Sequence, residues 1–411
     1  MSGDSWPNLL VTLFLISVLL SLQLPLPGVG SKYASINASD FVVVALGGLF
    51  LARRLRSDDW RIELTVPEVT GWFCLLGGWI LVTILVAVVR EPVSVFINVL
   101  WTLKWFEIAG LLVLVQSFSA AVDWDRALVV LTAGGALIAA VAVVQNITAA
   151  GTYAQSTVLW RNPNTMAVFL ALPALLGLLN GALWVRERPR LAGLSFLAGA
   201  VCLVGVLTAG SRSGMITLFG GGTIGVVLLR DKLPVRTLIT AVAGTASLVV
   251  PILLATRPWL FKRYLPLVLR NGELTLNPSF FHGLESRFQL TQEAIDLWVQ
   301  QPIFGYGWFA SPENPRVGYL DVLYSQLLVD LGAVGFVLAI AFYLVIVRTF
   351  IGRISDVSLV VPIVGASWLV GLLAAGIGGA HARVPRLLYI LVVLLVAAAA
   401  LETRDRRRFW A

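Results

Sequence analysis

Three charged side chains stand in this sequence where chemistry could use them. Arg212 lies in Thr208-Ala209-Gly210-Ser211-Arg212-Ser213-Gly214, between two strongly apolar runs. Arginine is always charged and binds phosphate through paired donors. Glycines on both sides allow close backbone approach, and a helix starting at Ser213 favours negative charge at its amino-terminal end. The plainer alternative is an arginine that snorkels to the membrane surface. Arg287 opens the stretch 287–301, where Phe288, Leu290, Thr291, Ala294, Ile295 and Trp298 recur near the i, i+3, i+4, i+7 pattern. Gln289, Gln292, Glu293, Asp296 and Gln300 fall mostly on the other side. The pattern predicts an amphipathic helix on the bilayer surface, ended by Pro302 and followed by a tight turn at Gly305-Tyr306-Gly307. Arg287 starts it on the Leu290/Thr291/Ala294/Trp298 side, which points the cation toward the interface where lipid phosphates sit. Asp321 stands at the mouth of a later apolar run. A carboxylate there is either a partner for the helix dipole or a base within reach of a hydroxyl.

Other polar residues carry weaker signals. Asp330 falls inside the same apolar run, and an acid within a span is a functional candidate. Lys104 and Glu107 share a helix face and are expected to pair structurally. Cys74 and Cys202 both sit in apolar runs, too few and too far apart for a disulfide framework or a zinc site. His282 and His381 form no cluster with other ligand types, so neither a metal nor a cofactor is expected.

The elements that position these residues are set by composition. The chain has 411 residues, 58% hydrophobic and 13% charged, against about 25% charged in soluble proteins. This is the composition of an integral membrane protein. A formal charge of +8 fits Lys and Arg collecting on cytoplasmic ends better than it fits nucleic acid as a partner. The first apolar run, 9–22, has no basic stretch before it and no small-residue cleavage site after it, and is expected to be a retained helix.

A spanning helix needs about 20 apolar residues. That rule predicts an all-α, polytopic membrane protein of about twelve spans, at 9–24, 40–55, 68–89, 93–117, 126–145, 164–184, 191–208, 213–229, 236–255, 319–347, 357–376 and 386–400. The basic clusters are Arg53-Arg54-Leu55-Arg56, Arg186-Glu187-Arg188-Pro189-Arg190, Arg230-Asp231-Lys232, Arg348 with Arg353, and Arg404 through Arg408. Counting from a cytoplasmic amino terminus puts every one of them inside, with both termini. The same count leaves one long external segment, 256–318, and a loop of that length is usually functional. No repeat and no Gly/Ser linker divides the chain, so 1–411 reads as a single membrane domain with one large extracytoplasmic loop embedded in it.

Residues 160–350 resemble the O-antigen ligase and O-antigen polymerase superfamily of membrane glycosyltransferases. Gly210-Ser211-Arg212-Ser213-Gly214 is similar to that family's Ser-Arg-Gly segment. Arg287, Ala294, Trp298, Pro302, Gly305 and Gly307 are similar to its Arg…Ala…Pro-x-x-Gly-x-Gly loop. The run from Asp321 to Gly335 follows its His-Asn, nine residues, Gly, two residues, Gly pattern, and Asn162-Pro163-Asn164 looks like the family too. The departure is that the family's His is Asp321 here and its Asn is Val322, while His282 lies before Arg287 and does not match the motif. The resemblance implies glycan transfer, with inversion and without metal, from a polyprenyl- or dolichyl-diphosphate carrier to an unidentified acceptor at the extracytoplasmic face of the plasma membrane. It implies catalytic roles for Asp321, Arg287 and Arg212, and substrate contacts from Arg161, Asn164, Gly305, Gly307 and Tyr324. Its partners would be that lipid-linked glycan and membrane lipids. A glycan polymerase is the alternative within the same chemistry. A non-catalytic carrier or flippase would need polar groups along a path through the membrane, and the sequence shows few.

Overall fold

Backbone in lipid must bond to itself, so an apolar chain of this kind folds into helices. In the computed structural model the described residues are 5–20, 23–25, 35–57, 62–90, 95–148, 162–230, 267–270, 273–308, 322–355, 359–379 and 384–410. They form α1 (Ser5–Leu20), α2 (Ala38–Ser57), α3 (Pro67–Arg90), α4 (Val95–Ser117), α5 (Trp124–Thr148), α6 (Pro163–Trp184), α7 (Pro189–Thr208) and α8 (Arg212–Leu229). After these come α9 (Pro278–Gln300), α10 (Leu323–Ile351), α11 (Val360–Ala375) and α12 (Pro385–Trp410). Two short antiparallel hairpins interrupt them: β1 (Gln23–Pro25) with β2 (Ser35–Asn37), and β3 (Leu267–Arg270) with β4 (Glu273–Leu276). Eight of these helices are long and apolar enough to cross a membrane, and Trp6–Leu20 and Val360–Ala375 are shorter apolar helices. The chain is an all-α polytopic membrane protein.

Most expected spans coincide with helices to within a few residues; α12 runs ten residues beyond the expected 386–400, to Trp410, and three other places differ. The first helix ends at Leu20 rather than at 24, because Gln23-Leu24-Pro25 pairs as a strand with Ser35–Asn37. The expected span 319–347 is shifted four residues along, to Leu323–Ile351. The helix expected over 287–301 begins earlier, at Pro278. Asn277 followed by a proline in the first helical position is a favoured helix start. The expected span 236–255 lies outside the described residues.

The centre of the bundle is α6. Its spanning window is 89% buried and that of α12 83%, against 33–39% in the other spans, whose outer faces expose Leu85, Leu137, Leu194 and Leu344. A helix apolar all round is one that is surrounded. Small residues let backbones approach where side-chain packing, not hydrophobicity, drives helix association. A Cβ on Gly177 of α6 would lie 2.6 Å from the Ser195 carbonyl oxygen of α7, and one on Gly371 of α11 2.5 Å from the Thr217 carbonyl oxygen of α8.

These contacts also set directions. Gly214, Gly221 and Gly225 of α8 face Ala167, Leu175 and Leu179 of α6 in turn, so the two helices run in the same sense. Gly221 faces Ser367 while Thr217 faces Gly371, so α11 runs against them. After α11, Gly376 packs on Leu323 and Tyr324, the first turn of α10. The amino-terminal ends of α6, α8 and α10 therefore share one end of the bundle. Arg186, Arg188, Arg230 and Arg353 follow the other ends of these same helices and Arg348 lies in the last turn of α10; Arg353 bonds Glu402 at 3.0 Å and the Thr65 carbonyl at 2.7 Å.

A charged network ties α2, α4 and α12 near the first end. Lys104 pairs with Asp40 and, as its spacing predicts, with Glu107 at 2.7 Å. The Tyr389 hydroxyl donates to Glu107 at 2.6 Å, the Asn37 N–H donates to Asp40 at 2.9 Å, and Arg386 donates to the Asn37 side chain at 3.4 Å.

Candidate functional site

Helix α7 ends and α8 begins within a few residues. Gly210 takes φ 66°, the left-handed conformation that closes helices cheaply only at glycine. Ser211 then caps α8, its hydroxyl accepting from the Gly214 N–H at 3.1 Å. Arg212 is thereby fixed, half-buried, as the first residue of α8. The Asn146 amide holds the end of α7 by donating to the Thr208 carbonyl at 3.1 Å. Alongside, Asn162 caps α6 by accepting from the N–H groups of Asn164 at 2.8 Å and Thr165 at 3.2 Å, with Pro163 in the first helical position. Gly214 packs against Ala167, which brings the start of α6, with Asn164, beside Arg212.

The third helix start at this end is α10. Val322 occupies its cap position with no side-chain hydrogen bond. Tyr324 donates its hydroxyl to the Leu373 carbonyl of α11 at 2.6 Å. That bond ties α10 to α11 and spends the one donor that Tyr324 could offer a ligand. Asp321 immediately precedes the Val322 cap, and both it and Arg161 lie outside the described residues.

Helix α9 turns the stripe that carries Arg287 toward the protein. Ala294 is 1% exposed and forms a buried cluster with Tyr306 and Val329, flanked by Leu297 and Trp298. Arg287, two turns earlier on that stripe, is half-buried. The expected outward orientation toward lipid phosphates is thus not what the structure shows, because the turn after Pro302 gives this face a protein partner. Phe288, Ile295 and Val299 lie on a different face and are 79%, 44% and 62% exposed.

That turn reaches its partner through a break in α10. Gly332 has φ 67° and ψ −176°, which interrupts the helix inside its membrane span. A break in a span frees backbone groups that must be bonded somewhere. Here four of them are met by specific partners. The Tyr306 N–H donates to the Val329 carbonyl at 2.9 Å, the Gly307 N–H to Asp330 at 3.0 Å, and the Trp79 indole of α3 to Leu331 at 3.0 Å. Beyond the break the Ala333 N–H donates to the Pro302 carbonyl at 2.8 Å. Gly305 and Gly307 also have positive φ, 67° and 101°, as the expected tight turn requires. Their N–H groups bond within the protein, to Gln301 and Asp330. Both glycines therefore shape the joint between turn and helix. Asp330, the acid singled out inside the span, is fully buried at this joint.

The structure thus brings Arg212, Asn164 and the start of α10 to one end. Because α9 and α10 run in the same sense through Ala294/Val329 and Pro302/Ala333, Arg287 lies toward that end as well. Neither the break at Gly332 nor the part played by Trp79 was expected. The legible trace of the break was a pair of glycines, Gly332 and Gly335, inside a span.

No curated protein matches the chain. Residues 197–340 match the family model described as O-antigen ligase, a stretch that runs from within α7 into α10 and contains Arg212, Arg287, the turn 302–308 and the break at Gly332. In an all-helical, multi-pass chain, residues 197–340 are thus similar to the O-antigen ligase family.

Proposed function

We propose that this protein is a glycosyltransferase that takes a glycan from a polyprenyl or dolichyl diphosphate and passes it, with inversion, to an acceptor hydroxyl at the extracytoplasmic face. The observation that carries this is Arg212 at the shared end of three helix amino-termini, α6, α8 and α10, inside the matched region. Helix amino-termini and guanidinium groups both favour anions. A diphosphate leaving group needs its charge met as the glycosidic bond breaks, and Arg212 with Arg287 would meet it without metal. The site lies at the end opposite the basic residues, which the positive-inside rule assigns to the exterior. Residues 256–318 form the extracytoplasmic loop in this reading, and 1–411 one membrane domain. Asp321 takes the proton of the acceptor, as a carboxylate does in inverting glycoside hydrolysis. Asn164, Arg161 and the backbone around Gly305 and Gly307 border the bound substrate. Polymerisation of the glycan on its lipid uses the same site with a glycan acceptor.

The test is accumulation of the lipid-linked donor. Cells lacking the gene should accumulate it, and Arg212→Ala and Arg287→Ala should not relieve the accumulation although both proteins reach the membrane. Asp321→Asn should slow transfer by about 10²–10⁴-fold, the usual worth of a general base, and Asp321→His should restore part of it. Asparagine keeps the shape of aspartate but cannot take a proton, so an active Asp321→Asn protein refutes the base. Chelator should change nothing. A cysteine at Ser311 should react with an impermeant label from outside, and one at Ser57 should not.

A further inference from the structure

Asn98 of α4 carries no mark in the sequence and lies outside the matched residues 197–340. It is 4% exposed, and its Oδ1 is buried with no hydrogen-bond partner. Its amide faces the joint. The Nδ2 atom lies 3.5 Å from where a Cβ on Gly307 would stand, and Ala87 and the Thr83 carbonyl of α3 border the same point. Trp105, two turns along α4, meets Trp308 edge-to-face at 5.9 Å.

The other polar groups here are already used. Thr83 donates its hydroxyl to the Ile80 carbonyl at 2.8 Å, Thr102 to the backbone carbonyl of Asn98 at 2.7 Å, and the Gly307 N–H to Asp330 at 3.0 Å. A buried acceptor without a donor costs its full desolvation. Leucine, of nearly the same size, would remove that cost. A buried polar atom left without a partner calls for an explanation, and a donor on a bound ligand supplies one.

We infer that Asn98 is a substrate contact, its Oδ1 accepting a hydrogen bond from a hydroxyl or amide N–H of the glycan. The inference rests on the reading of the donor as a lipid-diphosphate-linked glycan. An amide oxygen only accepts, and an ionised diphosphate has no proton to give it. A sugar has several. The arginines would hold the diphosphate while Asn98 reads the sugar, so the site extends beyond the matched region onto α4.

The test uses the full-length protein in lipid nanodiscs and two probes. One is polyprenyl diphosphate. The other is the lipid-linked glycan pool extracted from cells lacking the gene. The natural protein should bind the glycan-bearing probe about 3–10-fold more tightly, the worth of one neutral hydrogen bond. Asn98→Leu should erase that preference, bind the bare diphosphate unchanged and unfold at no lower temperature. A preference that survives in Asn98→Leu, or that the natural protein never shows, overturns the inference. So does a fall in unfolding temperature alongside the lost preference, which would make Asn98 a packing residue. Arg212→Ala should weaken both probes equally. Undiminished binding of both by that variant would overturn the diphosphate clamp and leave the glycan preference to be judged by the Asn98 arm.

Discussion

Two polar assemblies lie within the membrane-spanning body, and they are built in opposite ways. Where the turn 302–308 enters the break in α10, the bonds run between backbone groups and one neutral indole. Where α2, α4 and α12 meet, they run among Asp40, Lys104, Glu107 and Tyr389. The bonds named in the first assembly run between neutral groups, with the Asp330 side chain buried beside them. That assembly asks only that two backbones come close, and glycine permits that. The second must take ions out of water, and their attraction offsets the desolvation only while every partner is present. Shape therefore specifies the joint, and charge balance specifies the network. The joint should fail when anything is added to it, and the network when any one member is removed.

Adding a single methyl group to the joint should have the largest effect. A Cβ on Gly332 would lie 2.1 Å from the Ile303 carbonyl oxygen, and its φ of 67° is costly for any other residue. Gly332→Ala should destabilise the protein by about 4 kcal/mol or more. Because α9 hangs on this joint, the protein that remains folded should transfer glycan about 100-fold more slowly, the cost of roughly 1 Å of misplacement. A folded Gly332→Ala protein with natural turnover would show that the joint does not position Arg287.

Removing one charge from the network should come next in size and differ in kind. Lys104→Met leaves Asp40 and Glu107 together without their cation. The expected cost is about 3–5 kcal/mol of stability, read by thermal unfolding in detergent. Activity per folded molecule should be unchanged, since the network lies outside the matched region and shares no residue with the proposed clamp. A loss of turnover without a loss of stability would reverse this contrast.

Taking away one neutral bond should cost less. The Trp79 indole caps the Leu331 carbonyl and also stacks on Phe304, with ring centroids 5.6 Å apart. Trp79→Phe keeps a ring and loses the donor, so the change isolates one unsatisfied carbonyl, worth about 1–3 kcal/mol. Turnover should fall less than in Gly332→Ala, because the three backbone bonds of the joint survive.

The same contrast explains what the sequence made legible. Spans were visible because lipid demands long apolar runs, and the starts expected at 164 and 213 fall one residue from the observed Pro163 and Arg212. The glycines of the turn and of α10 were visible as motifs, but nothing in their spacing said that the two motifs fit into one another. That fit depends on Val329, Asp330 and Pro302 offering carbonyls, which every residue has. Lys104 and Glu107 could be paired from their shared helix face. Asp40 and Tyr389 could not be added, because they come from helices far away in the chain. The inward turn of Arg287 was missed for a related reason. The stripe of α9 is apolar enough for lipid or protein, and only the tertiary fold chooses between them.

The smallest expected effect is also the sharpest test of the contrast. Asp40→Asn, Lys104→Met and Glu107→Gln made together remove every charge from the three-residue core of the network. They leave an amide oxygen to accept from the Asn37 N–H, which now donates to Asp40 at 2.9 Å, and another to accept from the Tyr389 hydroxyl, now 2.6 Å from Glu107. No ion then remains to be desolvated among the three, and both neutral donors keep a partner. Replacing a whole buried ionic cluster by neutral groups of like size is often without cost, whereas breaking it in part is expensive. The triple variant should therefore lie within about 1 kcal/mol of the natural protein, well above Lys104→Met alone, and should transfer glycan at the natural rate. A triple variant as unstable as the single one would mean that the charges themselves hold α2, α4 and α12 together. No such rescue is open to the joint, because no second substitution makes room for a Cβ between two backbones.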